Sequence, residues 1–153
     1  MIRSDKEIND RQVIESVIKK SKLCRIALCE GGAPYIVPVC FGFEGNCIYI
    51  HSAREGRKLD ALRKNNNVCF EFESEIELTK SESPCSWGMK YYSVIGFGKA
   101  YLIDDPAEKR KALRVVIEHY AGESFFEYSK MNVDKLILIK IEVESLTGKK
   151  SGY

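Results

Sequence analysis

Apolar and polar residues alternate with a period of two along much of this chain, and turn residues interrupt the alternation repeatedly, which limits the folds open to it. The pattern is clearest where Val68, Phe70 and Phe72 alternate with Cys69, Glu71 and Glu73, as in a strand with one buried face. Comparable runs at 23–29, 35–43, 47–51, 76–78, 91–103 and 136–143 bring the total to about seven, most of them flanked by Gly, Asn, Ser or Pro. There is no internal repeat and no βαβ alternation. The expected architecture is mainly β, a small antiparallel barrel or sandwich with flanking helices. A length of 153 residues suits one core and is short for two ordinary domains, so 1–153 is read as a single domain.

Two flanking helices carry clear signals. Asn9 or Asp10 can cap a helix whose apolar face holds Val13, Ile14, Val17 and Ile18, with Lys19, Lys20 and Lys22 near its end. Asp105-Pro106-Ala107-Glu108 starts a second, expected to run to about Tyr120 with Leu113, Val116 and Ile117 as its apolar side. Gly96 and Gly98 offer the bend or bulge that closing a barrel requires. Pro38 falls inside the run 35–43, where it cannot donate to a ladder, and so marks an edge, a bulge or a gap in pairing. A gap would leave backbone groups free to receive a flat heterocycle. Trp87, with Cys85 and Met89 in the loop 81–89, and an aromatic loop of Phe125, Phe126, Tyr128 and Met131 suggest a contact surface or a lid. In the last run Ile137, Ile139, Ile141 and Val143 share a face, and 146–150 reads as a short basic tail.

Composition removes several classes of function. Charged residues at 30% and apolar ones at 44% describe a globular chain, and no apolar run approaches the roughly 20 residues of a membrane span. The first residues lack the apolar core of a signal peptide, so the cytoplasm is the expected compartment. A net charge of +2, with both signs interspersed, argues against a nucleic-acid partner. None of the six cysteines forms a C-x-x-C pair. Cys24, Cys40, Cys47 and Cys69 lie in strand-like runs, where a free cysteine acts as a small hydrophobe, and Cys85 alone is placed in a loop. No metal site is expected.

The chemistry concentrates in residues 48–63. Ile48, Tyr49 and Ile50 form a strand that delivers His51 and Ser52 to its end, and a helix opens just beyond on Gly56-Arg57-Lys58. The first N–H groups of a helix lack intrahelical partners and its dipole is positive there, so an anion is favoured. Arg57 and Lys58 add formal charge, Gly56 permits close approach, and Leu59 and Leu62 anchor the helix. A phosphate monoester is the natural guest. A merely solvated basic helix start fits the same residues equally well.

Residues beyond this stretch decide between the two. At Pro34-Tyr35, Val37-Pro38-Val39, Tyr49-Ile50-His51-Ser52-Ala53, Gly56-Arg57-Lys58-Leu59-Asp60, Val68-Cys69-Phe70, Ser93-Val94, Gly98 and Thr147-Gly148-Lys149, the chain resembles the nitroimidazole-resistance branch of the pyridoxamine 5′-phosphate oxidase-like flavoproteins. The resemblance covers about residues 14–149. It implies an FMN-binding split β-barrel that forms a homodimer, with FMN in each of two grooves at the dimer interface. Carried over residue by residue, it assigns the phosphate to Arg57 and Lys58, the polar strand end to His51 and Ser52, the strand along the ring to Val37, Pro38 and Val39, and a further cofactor contact to Ser93. The branch often carries arginine where this chain has Tyr92, so a substrate contact expected from that cation is missing. The C-terminal substrate residues needed to oxidise pyridoxamine phosphate are not found after Gly148, and that activity is not expected.

The resulting expectation is an FMN-dependent oxidoreductase, nitroreductase-like, taking electrons from NAD(P)H or another reduced donor and passing them to a nitroimidazole- or quinone-like acceptor. His51 is the catalytic candidate, since an imidazole titrates near neutrality; it can equally be a strand-end residue that only bonds the phosphate or the backbone. The alternatives are a flavin carrier or sensor without turnover, and a haem-handling split barrel using His51 or His119.

Overall fold

The computed structural model describes residues 4–123 and 126–153, so Phe125 of the expected aromatic loop lies outside them. Eight strands and three α-helices are found among the described residues: β1 (Glu7–Ile8), α1 (Arg11–Lys20), β2 (Cys24–Glu30), β3 (Ala33–Val39), β4 (Phe41–Glu44), β5 (Cys47–Ser52), α2 (Arg57–Lys64), β6 (Asn67–Thr79), β7 (Gly88–Leu102), α3 (Pro106–Ala121) and β8 (Ile137–Ser151). The strands form one antiparallel sheet in the order β3-β2-β6-β7-β8-β5-β4, with β1 added against β8.

Closure follows from connectivity. β3 and β4 stand at opposite ends of this order, yet only Cys40 separates them in sequence, so the sheet must curl until its ends meet. No ladder joins β3 to β4 among the described residues. A side chain bridges the seam instead. The Tyr120 hydroxyl accepts the Phe41 N–H at 3.1 Å and donates to the Lys22 carbonyl at 2.9 Å. Burial pushes that phenol up to about 12, even though the Phe41 N–H favours its ionised form.

The period-two pattern sets the inside of the barrel. Val39, Cys24, Phe72, Val94 and Gly148 form one register row across β3, β2, β6, β7 and β8, and all are buried. α1 lies over β6 and β7, burying Ile14, Val17 and Ile18, with Asp10 accepting the Gln12 N–H as its cap. Val13 stays exposed, because the barrel wall covers a narrower stripe of the helix than its apolar residues span. α3 begins on the expected cap, Asp105 accepting the Glu108 N–H at 2.8 Å. It packs outside β4 and β5 in a second core with Tyr49, Ile103 and Leu138. Its buried side is Ala112, Val115 and Val116, rotated from the expected one, so that Leu113 and Ile117 are half-buried. Small residues are needed there: a Cβ on Gly42 of β4 would collide with the Val115 carbonyl.

The bulge expected at Gly96 or Gly98 appears as a register shift between Phe97 and Gly98. A second lies in β6 between Ser74 and Glu77, where Glu75 takes a φ of 53°. Two sequence expectations are corrected and one left open is resolved. The basic tail 146–150 is part of β8, because it pairs with 92–96 of β7, and Gly148 leaves room for Ile8 and Ile14 to pack directly on the strand. Pro38 resolves as an edge-strand proline, since β3 has only β2 for a partner. Cys40 sits in the β3–β4 break and is exposed, so Cys85 is not alone outside the strands.

Candidate functional site

The β2–β3 hairpin and the start of α2 meet at one corner of the barrel. α2 buries Leu59 and Ala61, and Leu62 packs on the same core, which fixes the helix with Gly56 at its N-cap position. Gly56 adopts a φ of 133°, open only to glycine at low cost, and no side chain caps the first turn. The two basic residues that follow have different surroundings. The Arg57 guanidinium donates to the Glu30 carboxylate at 3.0 Å and lies 4.4 Å from the centre of the Tyr35 ring. Lys64, one helix end away, also reaches Glu30 at 3.3 Å. Among the described residues Lys58 has no ion-pair or hydrogen-bond partner; it is half-buried, and loss of hydration pulls its pKa below the usual lysine value.

An unpaired, partly desolvated ammonium beside an uncapped helix start is an anion site. A phosphate would restore the hydration that Lys58 has lost and take up first-turn N–H groups. The donor set therefore fits the phosphate of a phosphorylated cofactor. Tyr35 belongs to β3, and Pro38 lies three residues further along, about 10 Å at a strand's rise per residue. Arg57 thus touches the strand that carries Pro38, at Tyr35 and not at Pro38 itself. Val37 and Val39 point inward to the core, so only their backbone can face a ligand, while Pro38 is exposed on the outer face.

His51 and Ser52 do not leave the sheet. Both remain paired in β5, opposite Leu138 and Ile137, and so point to opposite faces. His51 is exposed and Ser52 is 6% exposed, on the interior side with Ile48 and Ile50. Ser93 stands apart from the corner. It lies on the outer face of β7, three strands and about 14 Å from β3, in a cleft of about 330 Å³ shared with Glu73, Tyr91 and Lys149. Tyr92, the departure from the branch pattern, stacks on Tyr153 with ring centres 4.7 Å apart. The His119 ring is taken up structurally: Nε2 is 2.8 Å from the Ser21 carbonyl oxygen and the ring lies 4.2 Å from that of Phe41.

On the outer sheet face the ion pairs of Arg25 with Glu71 and Glu73 lie between Pro38 and Ser93, and an apolar row runs two residues further along the strands. Ile36, Ala27, Cys69 and Phe97 form one register row, and Ile95 lies two residues from Phe97. Ile36, Ile95 and Phe97 are 62%, 46% and 54% exposed. Glu30 was not singled out from the sequence, because a carboxylate just before a Gly-Gly turn looks like an ordinary solvated loop residue. Only the packing of α2 on β2 shows what it holds.

The profile of the pyridoxamine 5′-phosphate oxidase family matches residues 10–150. The chain belongs to that family. A solved structure from Bacteroides thetaiotaomicron VPI-5482, proposed to be a 5-nitroimidazole antibiotic resistance protein, is 36% identical with a TM-score of 0.80, over 94% of this chain and 86% of that one. This places the chain on the nitroimidazole-resistance branch and its fold as a split β-barrel. The FAD and haem binding protein of Mycobacterium smegmatis shares the fold at TM-score 0.79 and 18% identity, over 97% of this chain and 74% of that one. So does a FAD-binding protein of Mesorhizobium loti, at 0.69 and 17%, over 94% and 96%. A 64-residue stretch is 33% identical to an uncharacterised protein of Rhizobium meliloti (strain 1021), which amounts to 42% of each chain. None of the helices described is long and apolar enough to cross a membrane.

Proposed function

We propose that this family member holds FMN and acts as an oxidoreductase, passing electrons from a reduced donor such as NADH or NADPH to a small flat acceptor of the nitroimidazole or quinone kind. The observation that carries the proposal is Lys58, an unpartnered, half-buried cation at an uncapped helix start. Family membership and the FAD-binding structural relatives support a flavin. A single free cation suits a terminal phosphate monoester, which favours FMN. Once bound, a flavin supplies reversible two-electron and one-electron transfer. The chain's own residues bind and orient it. Lys58 and the first-turn N–H groups hold the phosphate, the backbone of 37–39 lies along the ring, and the exposed His51 imidazole carries a proton for the acceptor.

A second copy of the chain belongs to this proposal. Ser93 lies three strands from β3, and the exposed apolar side chains of Ile36, Ile95 and Phe97 on the same outer face are the surface a homodimer would cover.

The test is a visible spectrum of the purified protein followed by titration with FMN and riboflavin. FMN should bind roughly 10- to 100-fold more tightly, the worth of a charge-assisted contact. Equal affinities would remove the phosphate site. Anaerobic titration with NADPH and then a nitroimidazole tests turnover; a flavin that is neither reduced by the donor nor reoxidised by the acceptor would make the protein a carrier or sensor.

A further inference from the structure

Among the described residues Glu30 is the carboxylate paired with Arg57 at the basic corner. It receives Arg57 at 3.0 Å and Lys64 at 3.3 Å, and its side chain is 25% exposed. Tyr35 supports the guanidinium from its other side, with ring centre and guanidinium carbon 4.4 Å apart. Arg57 is therefore held by two groups that belong to the β2–β3 hairpin, with its charge already neutralised. The sequence offers Arg57 and Lys58 as an equivalent pair, whereas the structure leaves only Lys58 free.

We infer that Glu30 sets the strength with which the corner binds phosphate-bearing ligands, by holding Arg57 against Tyr35 and withdrawing it from the anion. The inference rests on the phosphate site proposed above and adds a determinant of its affinity. Two physical effects act in the same direction. A carboxylate close to a phosphate dianion repels it. A guanidinium already committed to a carboxylate would have to break that contact before it could donate to a phosphate. The two cations on Glu30 hold its carboxyl below the usual range, chiefly through the Arg57 hydrogen bond, so the contact persists at neutral pH.

Glu30→Gln keeps the shape of the side chain and removes its charge. FMN should then bind roughly tenfold more tightly, as expected for one charge-assisted hydrogen bond gained, with riboflavin unchanged. Circular dichroism of the variant checks that the fold is retained. In an Arg57→Ala background, Glu30→Gln should bring a much smaller gain, since its action runs through Arg57. Three outcomes overturn the inference: FMN affinity that stays the same or falls in Glu30→Gln, a gain shared equally by riboflavin, or a gain undiminished without Arg57. Wild-type protein that binds neither flavin defeats the flavin proposal separately. Inorganic phosphate is then the probe: a larger thermal stabilisation of Glu30→Gln than of wild type supports the role of Glu30, and equal stabilisation overturns it.

Discussion

Lys58 and Arg57 are neighbours in sequence with opposite electrostatic circumstances, and pH separates them. Burial disfavours the charged form of Lys58, which lowers its pKa from the usual 10.5. A bound phosphate favours the charged form, so binding raises that pKa again and takes up a proton between the free and bound values. FMN affinity should therefore rise as the phosphate completes its second ionisation near about pH 6, and fall again below the usual lysine range as Lys58 is neutralised. Fluorescence titration of FMN across pH checks this, and Lys58→Ala should lose the alkaline limb. The same variant should weaken FMN by roughly 10- to 100-fold while sparing riboflavin. His51 is predicted to do the reverse. Its imidazole is exposed and on the opposite face of β5 from Ser52, so His51→Ala should slow reoxidation of the reduced flavin by an acceptor and leave FMN affinity intact. Stopped-flow measurement decides; an unchanged rate, or loss of FMN, would make His51 a cofactor contact only.

The strands and helices meet where small residues let backbones approach. Gly42 lies under α3, and a Cβ there would run into the backbone at Val115 and Val116. Gly42→Ala should destabilise the protein by about 1–3 kcal/mol, the usual cost of overpacking, because the obstacle is helix backbone and not a movable side-chain tip. Chemical denaturation measures it, and a stability within experimental error of wild type would mean that α3 can slide. Gly148 has the same role where β8 passes beneath Ile8 and Ile14. The β3–β4 seam is closed by the Tyr120 hydroxyl, which links α3 to β4 and to the segment entering β2. A sequence pattern reveals that β3 is proline-bearing, but it does not reveal which distant side chain will close the gap beside it.

A barrel with polar and apolar faces properly sorted should not leave several large apolar side chains exposed on one outer face. Here Ile36 on β3 and Ile95 and Phe97 on β7 are exposed on the face that also carries Pro38 and Ser93. Phe97→Glu should place a charge in the proposed interface, convert a dimer to a monomer, and lower FMN retention with it. Light scattering and flavin absorbance measured on the same sample check both. A wild-type monomer that holds FMN tightly would remove the second chain from the site.

The period-two alternation determined that the chain is mainly β, and the Asp10 and Asp105 caps determined two of its helices, because strand burial and helix capping depend on residues a few positions apart. The basic corner was half legible in the same way: Gly56, Arg57 and Lys58 follow a strand, and their local geometry needs nothing distant. Distant pairing decided the rest. β8 extends through 151 because 146–151 pair with β7, with Gly148 leaving room for Ile8 and Ile14, α3 is rotated onto Ala112, Val115 and Val116 by the bare backbone of Gly42, and Pro38 is an edge residue because β3 has one neighbour among the described residues. Arg57 and Lys58 look alike in the sequence. The tertiary structure distinguishes them by bringing Glu30 and Tyr35, residues 27 and 22 positions away, against one and not the other.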